Sequence, residues 1–237
     1  MKEIIQNKVR KVGLTYRSLS GSFFSAKNNT EIQFESSLER DFIYILEMDW
    51  IVQGYYEQPV KIEYSDAEGN LRSYIPDFLF FWHYRFARKG AKPVLVEIKY
   101  KEDLRENFRQ YKPKFRAAIK FCKANGYDFQ ILTEENIRTH YLENCKFLYR
   151  YKKNNYTENN ADIQLLLKWM CDLKATTPKE LIQVSARDKY KQMELIHIMW
   201  YMVSINMIRC LWDYPLTMNS EIWLDECYEN DYPKWKK

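Results

Sequence analysis

The chain has 237 residues, of which 29% are charged and 16% aromatic, and a formal net charge of +5; glycine and proline are scarce. This composition supports one large or two smaller packed cores and excludes long disordered tracts. Five distant cysteines and three scattered histidines exclude a disulfide framework and a Cys/His zinc site, and the longest apolar run, Leu195 to Ile208, is too short and too interrupted to span a bilayer, so a reduced, cytoplasmic protein is expected.

Taken in order, residues 1–18 carry Lys2, Lys8, Arg10, Lys11 and Arg17 against Glu3 alone and read as a basic arm. Leu19 to Lys27 reads as a short strand or turn, with Ser25 and Lys27 either available to a backbone phosphate or part of a capping loop. Leu38, Phe42, Ile45 and Leu46 follow helical spacing after Ser36. Glu39 therefore has two readings, the reciprocal partner of Ser36 in a capping box or a carboxylate aimed at a site, with Glu35 one turn earlier as its rival.

After the apolar pair Ile51–Val52, an alternating strand follows at Val60 to Tyr64, a turn at Asp66 to Asn70, and a strand over 71–81. Gln58, before Pro59, reads either as a buried hydrogen-bonding residue or as a holder of water or phosphate. The turn over 87–93, rich in Arg and Lys, joins this strand to the next, over 94–100.

These last two strands carry Asp77 in one, and Glu97 and Lys99 in the other. An unpaired carboxylate or ammonium costs several kcal/mol or more to bury, so the charges must serve one another or a ligand. Residues two apart share a strand face, so Glu97 and Lys99 point the same way, and hairpin pairing would bring Asp77 beside them. Two carboxylates and an amine at the rim of an apolar sheet suit a hard divalent cation. Such a cation polarises a phosphoryl oxygen and activates water, while the lysine places or deprotonates that water and counters developing charge.

Pro113 is expected in the first turn of a helix running to about Asn125, with Phe115, Ala118, Ile119 and Cys122 inward and Lys114, Arg116, Lys120 and Lys123 outward. Residues 99–123 carry nine basic groups against three acids. A strand over 127–132 and a helix capped by Thr133 complete an α/β three-layer core with a mixed sheet, assigned to residues 19–150. Residues 151–160 read as a linker. Beyond them come three helices and a terminal hairpin, a winged-helix-like domain over 161–237 with an acidic, aromatic tail that favours protein docking.

Five landmarks in order carry a resemblance: Ser25 to Lys27, Phe34 to Asp41, Glu57 to Val60, Tyr74 to Leu79, and Val96 to Lys99. Residues 18–132 resemble the TnsA family of transposon-end endonucleases, with a restriction-endonuclease-like PD-(D/E)xK fold and a winged-helix-like C-terminal domain. The resemblance implies catalytic roles for Glu39, Asp77, Glu97 and Lys99. Mg²⁺, replaceable by Mn²⁺, is expected on Asp77, Glu97, the Ile98 carbonyl and Glu39, and Gln58 and Lys101 join Ser25 and Lys27 as DNA contacts. It also implies nicking of the non-transferred, 5′ strands of double-stranded transposon ends, a TnsB-like transposase and a TnsC-like AAA+ ATPase as partners, no membrane, and a bacterial, nucleoid-associated setting. An inert scaffold bridging those partners is the alternative.

Overall fold

A computed structural model describes residues 19–66, 68–85, 87–157 and 160–224. The basic arm over 1–18 and the acidic tail from Asp225 onward lie outside them. Two compact units divide the chain, Met1–Arg138 and Thr139–Lys237.

The first unit opens with an antiparallel pair, β1 (Gly21–Ser25) and β2 (Thr30–Phe34), followed by α1 (Ser37–Met48). Strands β3 (Val52–Glu57), β6 (Phe78–Trp82), β7 (Val94–Ile98) and β8 (Asp128–Leu132) form the main sheet in the order β3-β6-β7-β8, and β4 (Ile62–Ser65) pairs with β5 (Leu71–Tyr74) as a separate hairpin. The β3/β6 and β6/β7 pairs are antiparallel and β7/β8 is parallel, so the sheet is mixed. The parallel pair requires a crossover, which α2 (Lys101–Asn125) supplies.

Strand alternation sorts the sheet into two faces. Phe78 and Phe80 meet Phe42 of α1 edge-on, at 5.6 and 6.4 Å between ring centroids. Leu79 and Leu95 pack on the opposite side with Ala118 and Cys122 of α2, together with Ile62, Tyr74 and Tyr127. By the same alternation Asp77, Glu97 and Lys99 belong to the α2 side.

Two expectations change here. The strand over 71–81 is two strands, because Pro76 has no N–H to give a ladder and the chain steps from one sheet to the other at Ile75–Asp77. Helix α2 begins twelve residues before Pro113, which lies inside it. The longer helix rotates the expected stripe: Phe115, Ala118 and Cys122 are buried, Ile119 is exposed, and Lys114 turns inward.

The second unit contains α4 (His140–Lys152), α5 (Ala161–Leu173), α6 (Pro178–Ser185) and α7 (Lys189–Ser204), after the short α3 (Glu134–Ile137) that closes the first. Two-residue strands β9 (Ala175–Thr176), β10 (Arg209–Cys210) and β11 (Ile222–Trp223) form a small sheet in the order β10-β11-β9. The division by contacts falls between Arg138 and Thr139, and Tyr151 and Tyr156 of the expected linker pack on α7. Phe147 and Tyr151 of α4 contact Trp200 and His197 of α7 at 5.0 Å each, and Tyr156 contacts Tyr201 at 5.0 Å. No helix among the described residues is long and apolar enough to cross a membrane.

Candidate active site

Asp77 is fixed through its backbone from both sides. Its N–H donates to the Val96 carbonyl at 3.1 Å and its carbonyl accepts the Gln58 N–H at 2.8 Å, so the residue bridges β7 and the end of β3. Its Oδ2 accepts the Ile98 N–H at 2.6 Å, drawing the carboxylate across the end of β7. Gln58 reaches this position with a left-handed φ of 46°, a conformation that a glutamine adopts only under constraint, and its Nε2 donates to Glu35 Oε1 at 3.0 Å.

Glu97 is 1% exposed in β7, and two ammonium groups meet one of its oxygens: Lys99 Nζ at 3.0 Å and Lys114 Nζ at 2.8 Å from Oε1. Lys99 Nζ also donates to the Ile98 carbonyl at 2.9 Å. Glu97 Oε2 and the Tyr74 hydroxyl are both buried without a hydrogen-bond partner. They are near enough for the carboxylate charge to act on the phenol, but not in hydrogen-bond geometry. Burial, and then the Glu97 charge, push the Tyr74 phenol far up.

Lys114 carried no functional reading in the sequence, since its direction depends on where α2 starts. Its ammonium lies 4.4 Å from the Tyr111 ring centroid, 4.9 Å from Tyr74 and 5.2 Å from Phe115, an aromatic cage that offsets part of its lost hydration. The side chain is 15% exposed. Replacing Lys114 by methionine is expected to destabilise the fold by about 2 kcal/mol, because breaking one pair leaves a buried carboxylate half-compensated while Lys99 remains. Urea unfolding measures it, and a Lys114→Met/Glu97→Gln double variant should recover most of the loss.

Glu39 comes from the other layer, on α1. Its Oε2 accepts the Glu35 N–H at 2.8 Å and its Oε1 accepts the Ser36 hydroxyl at 2.9 Å, while Ser36 Oγ accepts the Glu39 N–H at 3.1 Å. The capping reading accounts for both carboxylate oxygens. Burial raises its pKa above the ordinary value, against the hydrogen bonds from the Glu35 N–H and the Ser36 hydroxyl; the Glu35 charge adds a smaller rise and Lys99 opposes it. Asp77 is raised well above the carboxylate range by burial, then by the charges of Glu97 and Glu39 against the pull of Lys99. For Lys99 burial works toward neutrality, but Asp77 and Glu97 outweigh it and hold the ammonium protonated. In this field the Lys99 side chain is an ammonium donor rather than a free amine.

The remaining expected contacts divide. Ser25 is fully buried and donates to Glu47 Oε2 at 2.8 Å, and Lys27 Nζ caps the end of α1 through the carbonyls of Leu46 and Asp49 at 2.7 and 2.6 Å. Both side chains are spent on the packing of β1 against α1. Lys101 Nζ pairs with Glu135 at 2.6 Å, on the exposed surface.

A hard cation takes oxygen donors, and Asp77, the orphaned Glu97 Oε2 and the Ile98 carbonyl are of that kind. The three-carboxylate set is not assembled: among the described residues no group of three His, Cys, Asp or Glu side chains is placed to hold a metal. The donor chemistry of the two strand carboxylates and the Ile98 carbonyl fits a hard cation, while both Glu39 oxygens are engaged in its helix cap.

Residues 49–134 match the family described as TnsA-like endonuclease N terminal. The matched span holds Gln58, Asp77, Glu97, Ile98, Lys99, Lys101 and Lys114, while Ser25, Lys27, Glu35 and Glu39 precede it. No curated protein matches the sequence.

Proposed function

We propose that this chain, whose residues 49–134 match the TnsA-like endonuclease N-terminal family, is a divalent-metal-dependent DNA endonuclease that nicks the non-transferred, 5′ strands at transposon ends. The observation that carries the reading is the meeting of Asp77, Glu97 and Lys99 at the ends of β6 and β7, with one Glu97 oxygen buried and unpartnered. On this reading the core is restriction-endonuclease-like. The second unit, with the order helix, strand, helix, helix, strand, strand after α4, is winged-helix-like and serves partner docking.

Asp77, Glu97 and the Ile98 carbonyl would hold the cation, Mg²⁺ with Mn²⁺ as substitute. When bound, that ion supplies Lewis-acid polarisation of the scissile phosphate and lowers the pKa of an attacking water. Lys99 donates from beside Glu97 to the oxygen that gains negative charge, and its fixed position costs no reorganisation at the moment of reaction. Lys114 holds Glu97 Oε1 so that Oε2 keeps one direction. Asp77 must be ionised to act as a ligand, which its raised pKa resists until positive charge arrives. Glu39 tunes that balance through its field. The products are a 5′-phosphate and a 3′-hydroxyl.

The partners on this reading are a TnsB-like transposase, which cuts the transferred strands, and a TnsC-like AAA+ ATPase. The scaffold alternative draws support from one observation, the use of both Glu39 oxygens in capping. A strand-specific assay on end-labelled duplex carrying a transposon end, with and without the two partners, separates the readings. Metal-dependent nicks confined to the 5′ side are expected in the assembled mixture, and assembly without nicks leaves the scaffold.

A further inference from the structure

We propose that the outer face of α2 is a second nucleic-acid surface, separate from the cluster at Asp77, on which a duplex backbone lies lengthwise. Arg105, Arg109, Lys112, Arg116, Lys120 and Lys123 follow one another at intervals of four, three, four, four and three residues. At about 100° per residue they stay within roughly 80° of arc and extend along about 27 Å of helix. All six are exposed, and none joins an ion pair or side-chain hydrogen bond among the described residues. Lys114 lies about half a turn away, inward on Glu97, so the stripe and the cleavage cluster occupy different sides of one helix.

An ordinary solvated helix face mixes both signs, because i to i+4 pairs of opposite charge stabilise it. Here the acids are confined to Glu102, Asp103 and Glu106 in the first two turns, and Asp103 is engaged by Asn107 and Tyr111. From Asn107 to Asn125 the helix has no acidic residue. Six like charges on one face repel one another, a cost that a polyanion removes. Beside the stripe, Phe108 and Ile119 are 49% and 43% exposed and form, with Phe115, Phe129 and Ile131, a shallow apolar floor rimmed by Lys112 and Arg116. Basic rims over an apolar floor suit phosphates and the sugar faces between them. A duplex presents one charge per about 1.7 Å of its axis, so about 27 Å of stripe matches roughly eight base pairs. The occupant is therefore duplex DNA outside the segment being cut.

The proposal rests on the reading of this chain as acting on DNA. Its test uses the full chain carrying Asp77→Asn, with and without Arg109→Gln, Arg116→Gln and Lys120→Gln, and a fluorescent duplex of about 30 base pairs titrated between 50 and 200 mM NaCl. The stripe variant is expected to bind at least tenfold more weakly, and its slope of log K against log salt to shrink by two to three, at about 0.9 for each phosphate no longer neutralised. Equal affinity and slope overturn the proposal, as does loss of binding accompanied by a lowered melting temperature that an Arg109→Lys, Arg116→Lys variant does not repair. Nicking that survives in the chain with Asp77 intact while the stripe variant binds normally removes the stripe alone. Weakened binding by the stripe variant, with no nicking by the Asp77-intact chain, removes the cleavage reading alone.

Discussion

Replacing Asp77 by asparagine is expected to lower metal-dependent cleavage by at least about a thousandfold, about 4 kcal/mol of barrier, while raising the stability of the protein near neutral pH. The two effects have one cause. Asp77 accepts the Ile98 N–H, faces Glu97, and has a pKa well above the carboxylate range because its ionised form is both desolvated and repelled. A carboxyl whose folded pKa is raised binds more protons folded than unfolded. Stability is thus greatest below the ordinary value of 3.8 and declines as pH rises through the folded value. Asparagine keeps the shape without the charge and escapes that decline. Single-turnover cleavage, with thermal unfolding followed between pH 4 and 8, checks both halves. A variant that still cuts would remove Asp77 from the chemistry.

The second large effect is expected at Lys99. Lys99→Met should slow cleavage by about a hundredfold to ten-thousandfold at saturating metal, with little change in the metal concentration needed for half activity. Its ammonium touches Glu97 Oε1 and the Ile98 carbonyl, but Lys114 still holds Oε1 after the change, so the cation site keeps its geometry. Because Asp77 and Glu97 hold the Lys99 ammonium protonated, the alkaline limb of the pH–rate profile should carry no ionisation from it in the neutral range. In the metal-free protein burial raises Asp77 and Glu39, so at subsaturating metal the cation should load less readily as pH falls. Cleavage measured against pH in wild type and Lys99→Met decides this. A rate that falls with the protonation of a neutral lysine would instead make Lys99 the base.

Asp77, Glu97 and Lys99 were legible in the sequence because a strand period of two and apolar neighbours leave a charged residue few places to go. The sheet partners followed from the same alternation. Lys114 was not legible: the apolar stripe of α2 is thin before Pro113, so the helix start and its rotation were misplaced, and one residue of rotation exchanges an outward lysine for an inward one. Glu39 had two readings that spacing alone could not separate, since a capping box and a site carboxylate both need an acid one turn into a helix. Ser25 and Lys27 looked available because their partners, Glu47 and the carbonyls at the end of α1, lie about twenty residues away. Tyr151 and Tyr156 sit in a polar stretch that reads as a linker, yet their rings are what pack it onto α7.

The division of the acids between two layers bears on how such a domain can diverge. Asp77 and Glu97 are secured by main-chain pairing within the sheet, Asp77 to Val96 and Gln58 and Glu97 in the β7/β8 ladder, whereas Glu39 is secured by its own helix cap and influences Asp77 only across space. Mutational drift in α1 can therefore retune the acidity of the centre by degrees without dismantling it. Drift at the sheet positions has no such gradual route, because Asp77 and Glu97 carry the charge on residues that the strand pairing itself holds.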